Sequence, residues 1–555
     1  VTEKNTPLDE EAAERLAAVL AYHEESKHHF GRMAPSLGYM DWANQPAPFR
    51  HYRGSDTIPL PLLAEDPELA YEALFTPPQA PPAPVSQASL GAVLELSLGL
   101  SAWKVSGASR WALRMVPSSG NLHPTEAYVI LCPGGTVTAA GEIPPGIYHY
   151  DARHHRLERR LEIGSDLAGA FESAFPTPGV WIAFTSIFWR EAWKYGLRAY
   201  RYCQLDMGHA LAGLSLAARF ASWQCRLVHG VSPKLLDRLL GLDRHGLPAA
   251  EAERAECLCH LGPGSRRAPT VTPAAIASRF GELKFEGEPN RLSPSHEHWQ
   301  GIDRIAMQTA AGLPTAATGI TYQWPSNPAP SPGKAAAVIR RRRSAVAYDP
   351  RAEMPREAFL AIIRRTLPHR DSAPFDPRIA AAAIHLFIFV HRVSGLPPGL
   401  YALCRAPEDA ARLRAACDPG FLWESVVPDL PLHRLKPGDF VYEAIQISCD
   451  QMIAGYSAFS LGMVARFRPP LQTAPASYRH LLWEAGQVGH LLYLEAEAQG
   501  FRGTGIGCFF DDGMHSLLGL KDSVFQSLYH FTVGTPVPDM RLKTLPAYHH
   551  LQRPD

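Results

Sequence analysis

The sequence has no excess of charge of either sign, with 54 lysines and arginines against 54 aspartates and glutamates in 555 residues. A chain balanced in this way sets up no broad field toward nucleic acid or an anionic membrane, so a small-molecule ligand is the expected partner. Long apolar runs are missing too. The longest, residues 379–390, is interrupted by His385 and falls short of the roughly 20 residues that span a bilayer. Residues 1–21 are acidic and helix-like, with neither a basic nor an apolar leader segment, and a cytoplasmic location is expected. Cysteine is sparse: nine residues, an odd number, with Cys257-x-Cys259 the closest pair and no zinc-finger or Cys-x-x-Cys spacing, as for reduced thiols. No Gly-x-Gly-x-x-Gly follows a strand pattern, which argues against a Rossmann dinucleotide site. His23, His28 and His29 suggest a metal, but adjacent residues of a helix point apart; a solvated face is expected there, and no metal.

What the chain does have is material for two cores, with 46% hydrophobic residues, and a repeat on that scale. Tyr200-Arg201 recurs as Tyr478-Arg479, a shift of 278 (478 − 200), and the string Leu239 to Leu242 returns as Leu517 to Leu520 with the same shift (517 − 239). Pro144-Pro145-Gly146 returns as Pro397-Pro398-Gly399, shifted by 253 (397 − 144), which implies an indel. A period the size of a domain predicts a tandem duplication. Proline-rich stretches set the expected boundaries: an N-terminal extension over 1–85, a first domain over 86–285, a linker over 286–333 and a second domain over 334–555. Within each half the pattern predicts α+β organisation. The expected strands are 128–131, 181–186 and 258–261 in the first half and 385–391, 444–448 and 530–533 in the second, with a long helix through each Tyr-Arg pair.

Three segments carry chemistry. The first runs from Arg114 through Pro117-Ser118-Ser119-Gly120-Asn121 to Pro124 and Glu126. Two prolines fix its ends, a glycine allows close approach, and short polar side chains offer donors and acceptors, as a planar heterocycle would require; an ordinary loop entering a buried strand is the plainer alternative. The second is the run Arg340 to Arg343 followed by Ser344, forked donors and a hydroxyl suited to a phosphate, or else a solvated basic face. The third is Gly503-Thr504-Gly505-Ile506-Gly507-Cys508, whose alternating glycines would let backbone amides approach a ligand.

The first segment resembles the Pro-Ser-Ser-x-Asn loop of FMN-dependent nitroreductases, and more closely the Pro-Ser-x-Gly-x-x-x-Pro-x-Glu loop of the SagB-like azoline dehydrogenases. Arg342, Arg343 and Ser344 resemble the motif that opens nitroreductase domains and holds the FMN phosphate and ribityl chain; Val346 stands where the family prefers a base. Gly505, Ile506 and Gly507 resemble the family's loop against the flavin, and Arg541 and Lys543 its late basic residues near the phosphate. The resemblance implies a nitroreductase fold, a mixed sheet wrapped by helices, duplicated so that the two halves form an intramolecular pseudo-dimer. It also implies one FMN contacted by Arg114, Pro117, Ser118, Ser119, Asn121, Arg198 and the second-half residues just named.

Each half lacks what the other has. By the 278 shift, Gly503, Gly505 and Gly507 correspond to Cys225, Leu227 and His229, while the second half has Pro374-Phe375-Asp376-Pro377-Arg378 before the strand that Pro117–Pro124 precedes in the first. One complete composite site and one dead one are expected. The stretch Lys194-Tyr195-Gly196-Leu197-Arg198 resembles the azoline dehydrogenase motif whose lysine and tyrosine remove a substrate proton, which implies Lys194 and Tyr195 as catalytic residues; an amphipathic helix start is the alternative. The expected function is FMN-dependent oxidation of a small-molecule or peptide-derived substrate. NAD(P)H-driven reduction of nitro or quinone compounds, or a non-catalytic flavin-binding role in a biosynthetic complex, remain alternatives, and further homo-oligomerisation stays open.

Overall fold

The computed structural model describes residues 10–133, 143–244, 246–264, 269–310, 333–369 and 372–551. Two seven-stranded sheets dominate it. The first runs from edge to edge as Thr57–Pro59, Arg156–Glu162, Gly146–Asp151, Thr125–Leu131, Val180–Ile187, Glu253–Gly262 and Gln224–Leu227. The second runs as Glu424–Val427, Leu430–Pro437, Gly399–Leu403, Ile384–Val390, Phe459–Arg466, Phe525–Gly534 and Arg502–Ile506. Apart from the first-named edge strand of each, the strands follow one another across both sheets in the same sequence order. The central strands Val180–Ile187 and Ile384–Val390 are buried along their whole length, as their continuous apolar character requires. A mixed sheet is expected, but within both seven-stranded sheets every neighbouring pair is antiparallel, and the parallel ladder among the described residues is the small one of Met354–Pro355 with Val393–Ser394. The Pro-Pro-Gly turns return the chain directly beside the preceding strand, and the long helices bring it back to the opposite edge in the antiparallel sense.

The helices through the repeated Tyr-Arg pairs, Ala199–Ala218 and Ser477–Ala498, lie between the sheets and pack against each other. They cross where Gly208 meets Gly486, positions related by the same 278 shift (486 − 208). A Cβ on Gly208 would stand 2.2 Å from the Trp483 carbonyl oxygen, and one on Gly486 2.2 Å from that of Leu205. Only two glycines let the backbones approach this closely. Polar groups buried at the crossing are paired: Trp483 Nε1 donates to Gln204 at 2.7 Å, and Gln204 and Arg479 both donate to Glu256, at 2.7 and 3.0 Å.

Two further expectations are corrected. Residues 444–448 lie in and just after the helix Val441–Ile447, which buries Ala444 and Ile447 one turn apart, and the strand in that sheet position is Phe459–Arg466; a short apolar run has no periodicity to tell the two apart. His23 and His28 are buried rather than solvated, because the helix Glu10–Glu25 docks on the second half and His28, beyond its end, pairs with Phe510. His23 bonds Tyr478 and Gln526 at 3.2 Å each and lies over Phe467. Glu24, His29 and Asp512 bring three potential ligand atoms within 4.8 Å of one another, but the Lys27 ammonium bridges Glu24 and Asp512 at 2.8 and 3.0 Å, so ion pairing accounts for the cluster.

Two flanking segments are built into the first half. Thr57–Pro59, within the expected extension, supplies an edge of the first sheet, and Lys543–Leu545 pairs antiparallel with Leu100–Ser106 of the first half.

Candidate active site

A cavity of about 710 Å³ opens where the two halves meet, within the range of cofactor sites. The first half contributes the loop after strand Ser109–Arg114 and one face of helix Ala199–Ala218; the second contributes residues 342–346, strand Arg502–Ile506 and the segment 536–544. Gly120, Asn121 and His123 all have positive φ (57°, 60° and 54°), so the loop folds tightly back on itself. Asn121 Nδ2 donates to the Ala112 carbonyl at 2.9 Å and its Oδ1 meets His123 Nε2 at 3.0 Å; the backbone N–H of His123 donates to Ser118 Oγ at 2.8 Å.

One end of the cavity is cationic. Arg342 is buried, and among the described residues its guanidinium donates only to carbonyls, those of Met115 at 2.9 Å and Arg114 at 3.1 Å. Arg343 donates to the carbonyls of Arg340, Arg342 and Ser101. Neither forms an ion pair with a carboxylate among the described residues. Burial, then the charges of Arg342 and Arg502, push the Arg343 guanidinium down to about 9, and burial with Arg343 and Arg502 nearby lowers Lys104. Arg342, Arg343 and Lys104 crowd with Arg502, whose Nε lies 3.6 Å from Glu497, while Asp539 lines the same wall, and the excess of positive charge fits a bound phosphate.

At the loop end, two carboxyl groups are buried together. The Ser119 backbone N–H donates to both oxygens of Asp206 at 3.1 Å and its hydroxyl to one of them at 3.0 Å; the Ser118 hydroxyl reaches Glu191 at 3.4 Å. Glu191 Oε2 is buried with no hydrogen-bond partner among the described residues, and the charge of Asp206 acts on it, which favours a proton on the pair. Burial lifts the Asp206 carboxyl to about 7; burial and the charge of Asp206 raise Glu191 well above the usual range. Tyr195 lies over the loop, its hydroxyl 2.7 Å from where a Cβ on Gly120 would be.

Of the residues singled out in the sequence, the cavity wall gathers Arg114, Pro117, Ser118, Ser119, Asn121, Tyr195, Arg342, Arg343, Ser344, Gly505, Ile506 and Gly507. Lys194 is exposed outside this lining, its Nζ 5.1 Å from the centre of the Tyr195 ring. Arg198 stands behind the glycine loop, donating to the Gly507 carbonyl at 3.1 Å and to Asp511 at 2.8 Å. Arg541 is exposed and paired with Asp539, and Lys543 is exposed on its edge strand, while its neighbours Leu542 and Thr544 line the cavity. The sequence reading missed Lys104, Tyr202, Asp206, Tyr493, Arg502 and Tyr529. Tyr493 stands out among these, joining Ser344 Oγ at 2.9 Å to the Gly505 N–H at 2.8 Å. Gly505 and Gly507 leave room for aromatic rings as well as for a ligand: a Cβ on either would collide with Tyr529 or Tyr202.

The corresponding position in the other half-site is filled by the chain itself. The buried Asp376 carboxylate accepts from Ser215 Oγ, from Arg219 at 3.0 Å and from the Cys225 N–H at 3.3 Å, while Arg226 holds its carbonyl at 2.6 Å. Ser215 and Cys225 correspond to Tyr493 and Gly503 (493 − 215 and 503 − 225 both give 278).

Comparison with known proteins gives a consistent picture. The profile of the nitroreductase family matches residues 81–262. The trifolitoxin-processing protein TfxB of Rhizobium leguminosarum bv. trifolii is 33% identical over 139 residues, 23% of this chain and 36% of the relative, so the match spans about a third of that protein. A crystal structure of an Anabaena variabilis protein assigned to the nitroreductases superposes with a TM-score of 0.67 at 23% identity, covering 94% of this chain and 99% of that one. The fold is therefore shared over almost the whole length.

Proposed function

We propose that this chain, which carries a nitroreductase-family domain over residues 81–262, is an FMN-dependent oxidoreductase of the SagB-like dehydrogenase type that binds one flavin per chain. The observation that carries the reading is the pair Arg342 and Arg343, cations without a carboxylate partner among the described residues, set in one cavity with the Pro117–Pro124 loop of the opposite half. Arg342, Arg343, Lys104 and Arg502 would hold the phosphate. The loop and the backbone of Gly505 to Gly507 would face the ring system. When bound, the flavin supplies two-electron acceptance, while the protein orients the substrate and takes its proton.

Proton removal falls to groups at the loop end. Tyr195 lies in the wall with the Lys194 ammonium 5.1 Å from its ring centre, and the Glu191–Asp206 pair beneath the loop can hold a proton. The similarity to a trifolitoxin-processing protein supports a small-molecule or peptide-derived substrate. Flavin extraction and quantitation tests the proposal: one FMN per chain is expected, and two flavins, FAD or none would overturn it.

The exposure of Lys194 outside the cavity lining favours a second reading, NAD(P)H-driven reduction of nitro or quinone compounds. Rapid bleaching of the flavin by reduced nicotinamide would select it.

A further inference from the structure

Seven of the nine cysteines are buried, and the two that are not, Cys449 and Cys508, are neighbours. They come from segments 59 residues apart (508 − 449), yet the Phe510 N–H donates to the Ile447 carbonyl at 2.7 Å, which sets the two segments side by side and brings the thiols close enough to act on each other. The Gln451 side-chain amide ties the two segments together by donating to the carbonyls of Ser448 and Cys508 at 2.8 and 3.0 Å. Cys508 lines the cavity described above.

The surroundings of Cys508 are those of a nucleophile. His28 stands beside it from the N-terminal segment, held there by its backbone N–H donating to the Asp511 carboxylate at 3.0 Å and its carbonyl accepting from the Asp511 N–H at 3.1 Å. Because His28 Nδ1 accepts from the Ala34 N–H at 2.9 Å, the neutral ring carries its proton on Nε2, the nitrogen left to donate to sulfur. Arg198 sits behind, bonded to the carbonyl of the preceding residue, Gly507. The remaining charged or titratable groups near Cys508 are Asp511, neutralised by Arg198 and Arg201, and the phenols of Tyr195 and Tyr202. Hydrogen bonding from Cys449, and then from His28, outweighs burial and pulls the Cys508 thiol well below its ordinary range, while the same contact pushes Cys449 up. One thiol is set up to attack and the other to resolve.

We propose that Cys508 and Cys449 form a thiol–disulfide exchange site in the cavity wall, with Cys508 as attacking sulfur, Cys449 as resolving sulfur and a low-molecular-weight disulfide of the glutathione class as co-reactant. The site is independent of the flavin reading. The Cys508 thiol releases its proton to solvent and the thiolate attacks one sulfur of the small disulfide; its S–S bond breaks, a Cys508 mixed disulfide forms and the small thiolate that leaves takes up a proton from solvent. Cys449 then gives up its proton and attacks the Cys508 sulfur, and the second small thiolate departs with that proton. Two protein thiols lose two electrons in total, and one small disulfide is reduced to two thiols. The new bond joins segment 448–451 to segment 507–509 beside the cavity.

The test uses the full-length reduced protein and glutathione disulfide, with acid quenching, intact mass and peptide mapping across a range of pH. Wild type is expected to lose two hydrogens and yield a Cys449–Cys508 linked peptide. Cys449→Ser is expected to stop with one glutathionyl group on Cys508, and Cys508→Ser to leave Cys449 unmodified at mildly acidic pH. His28→Gln should slow wild-type-like reaction there by about tenfold, moving the pH profile toward that of an ordinary thiol. The proposal is overturned if glutathione settles on another cysteine, if folded Cys449→Ser leaves Cys508 free, or if the folded protein reacts no faster at these two residues than the urea-unfolded chain.

Discussion

Arg342, from the second half of the chain, donates its Nε to the carbonyl of Met115 in the first half at 2.9 Å, two residues before Pro117. The same side chain therefore adds positive charge to the cavity and fixes the strand end from which the opposite wall springs. Its two roles can be separated through its neighbours. Arg343→Ala and Lys104→Ala, which leave the Arg342–Met115 contact in place, should each weaken flavin binding, by roughly 2–5 kcal/mol if the phosphate loses a desolvated partner. Flavin retained on gel filtration is the measure, and a double variant that stays fully yellow would show that the cations are only a solvated face.

Lys194→Ala should keep bound flavin yet slow substrate oxidation by about 10²–10⁴, the usual contribution of a positioned general base. Tyr195→Phe should match it if the two share the proton, and fall short of it if the phenol only orients the lysine. Undiminished turnover in both variants would remove the pair from the chemistry and leave the reductase reading.

Asp206→Asn should change how stability depends on pH. An unfolded aspartate loses its proton near pH 4, whereas the folded group holds it to about 7. The native state therefore binds more protons across that window, and the group's contribution to stability falls as pH rises through it and levels off above about 7. Asparagine removes this slope, so the variant should gain on wild type by on the order of 2–4 kcal/mol between the two limits. Parallel urea-midpoint curves for the two proteins would count against a proton on the Glu191–Asp206 pair.

Gly208→Ala should push the central helices apart, because the new methyl would stand 2.2 Å from the Trp483 carbonyl, in rigid backbone. A loss of about 1–3 kcal/mol is expected, accompanied by weaker flavin retention, since the cavity wall rides on the same helix. Gly169→Ala, where the added methyl meets nothing within 4 Å, is the control.

The parts of the fold that were legible in the sequence were those with local signatures. The Pro-Pro-Gly turns, the buried runs at 128–131 and 385–391 and the paired Tyr-Arg helices all stand out by composition. The segment at 444–448 misled because a run that short suits helix and strand equally. His23 and His28 misled because their burial depends on docking against Tyr478 and Phe510, far away in sequence. The same limit governs the site. Ser118, Ser119, Arg342 and Arg343 announce themselves in short motifs, whereas Lys104, Asp206, Tyr493 and Arg502 sit in unremarkable stretches and acquire meaning only when the halves close. Arg541 was read from its position after the last strand, but Asp539 pairs it in the open.

The Asp376 carboxylate has one last consequence. With that anion built in, the second half-site has its negative charge supplied covalently and needs nothing from solution. The cavity at Arg342 and Arg343 has no such substitute, so a bound anion there would raise the melting point in proportion to its concentration and affinity. Cofactor depletion should accordingly loosen the molecule on one side only, with hydrogen exchange quickening around Arg502–Ile506 while Gln224–Leu227 stays protected.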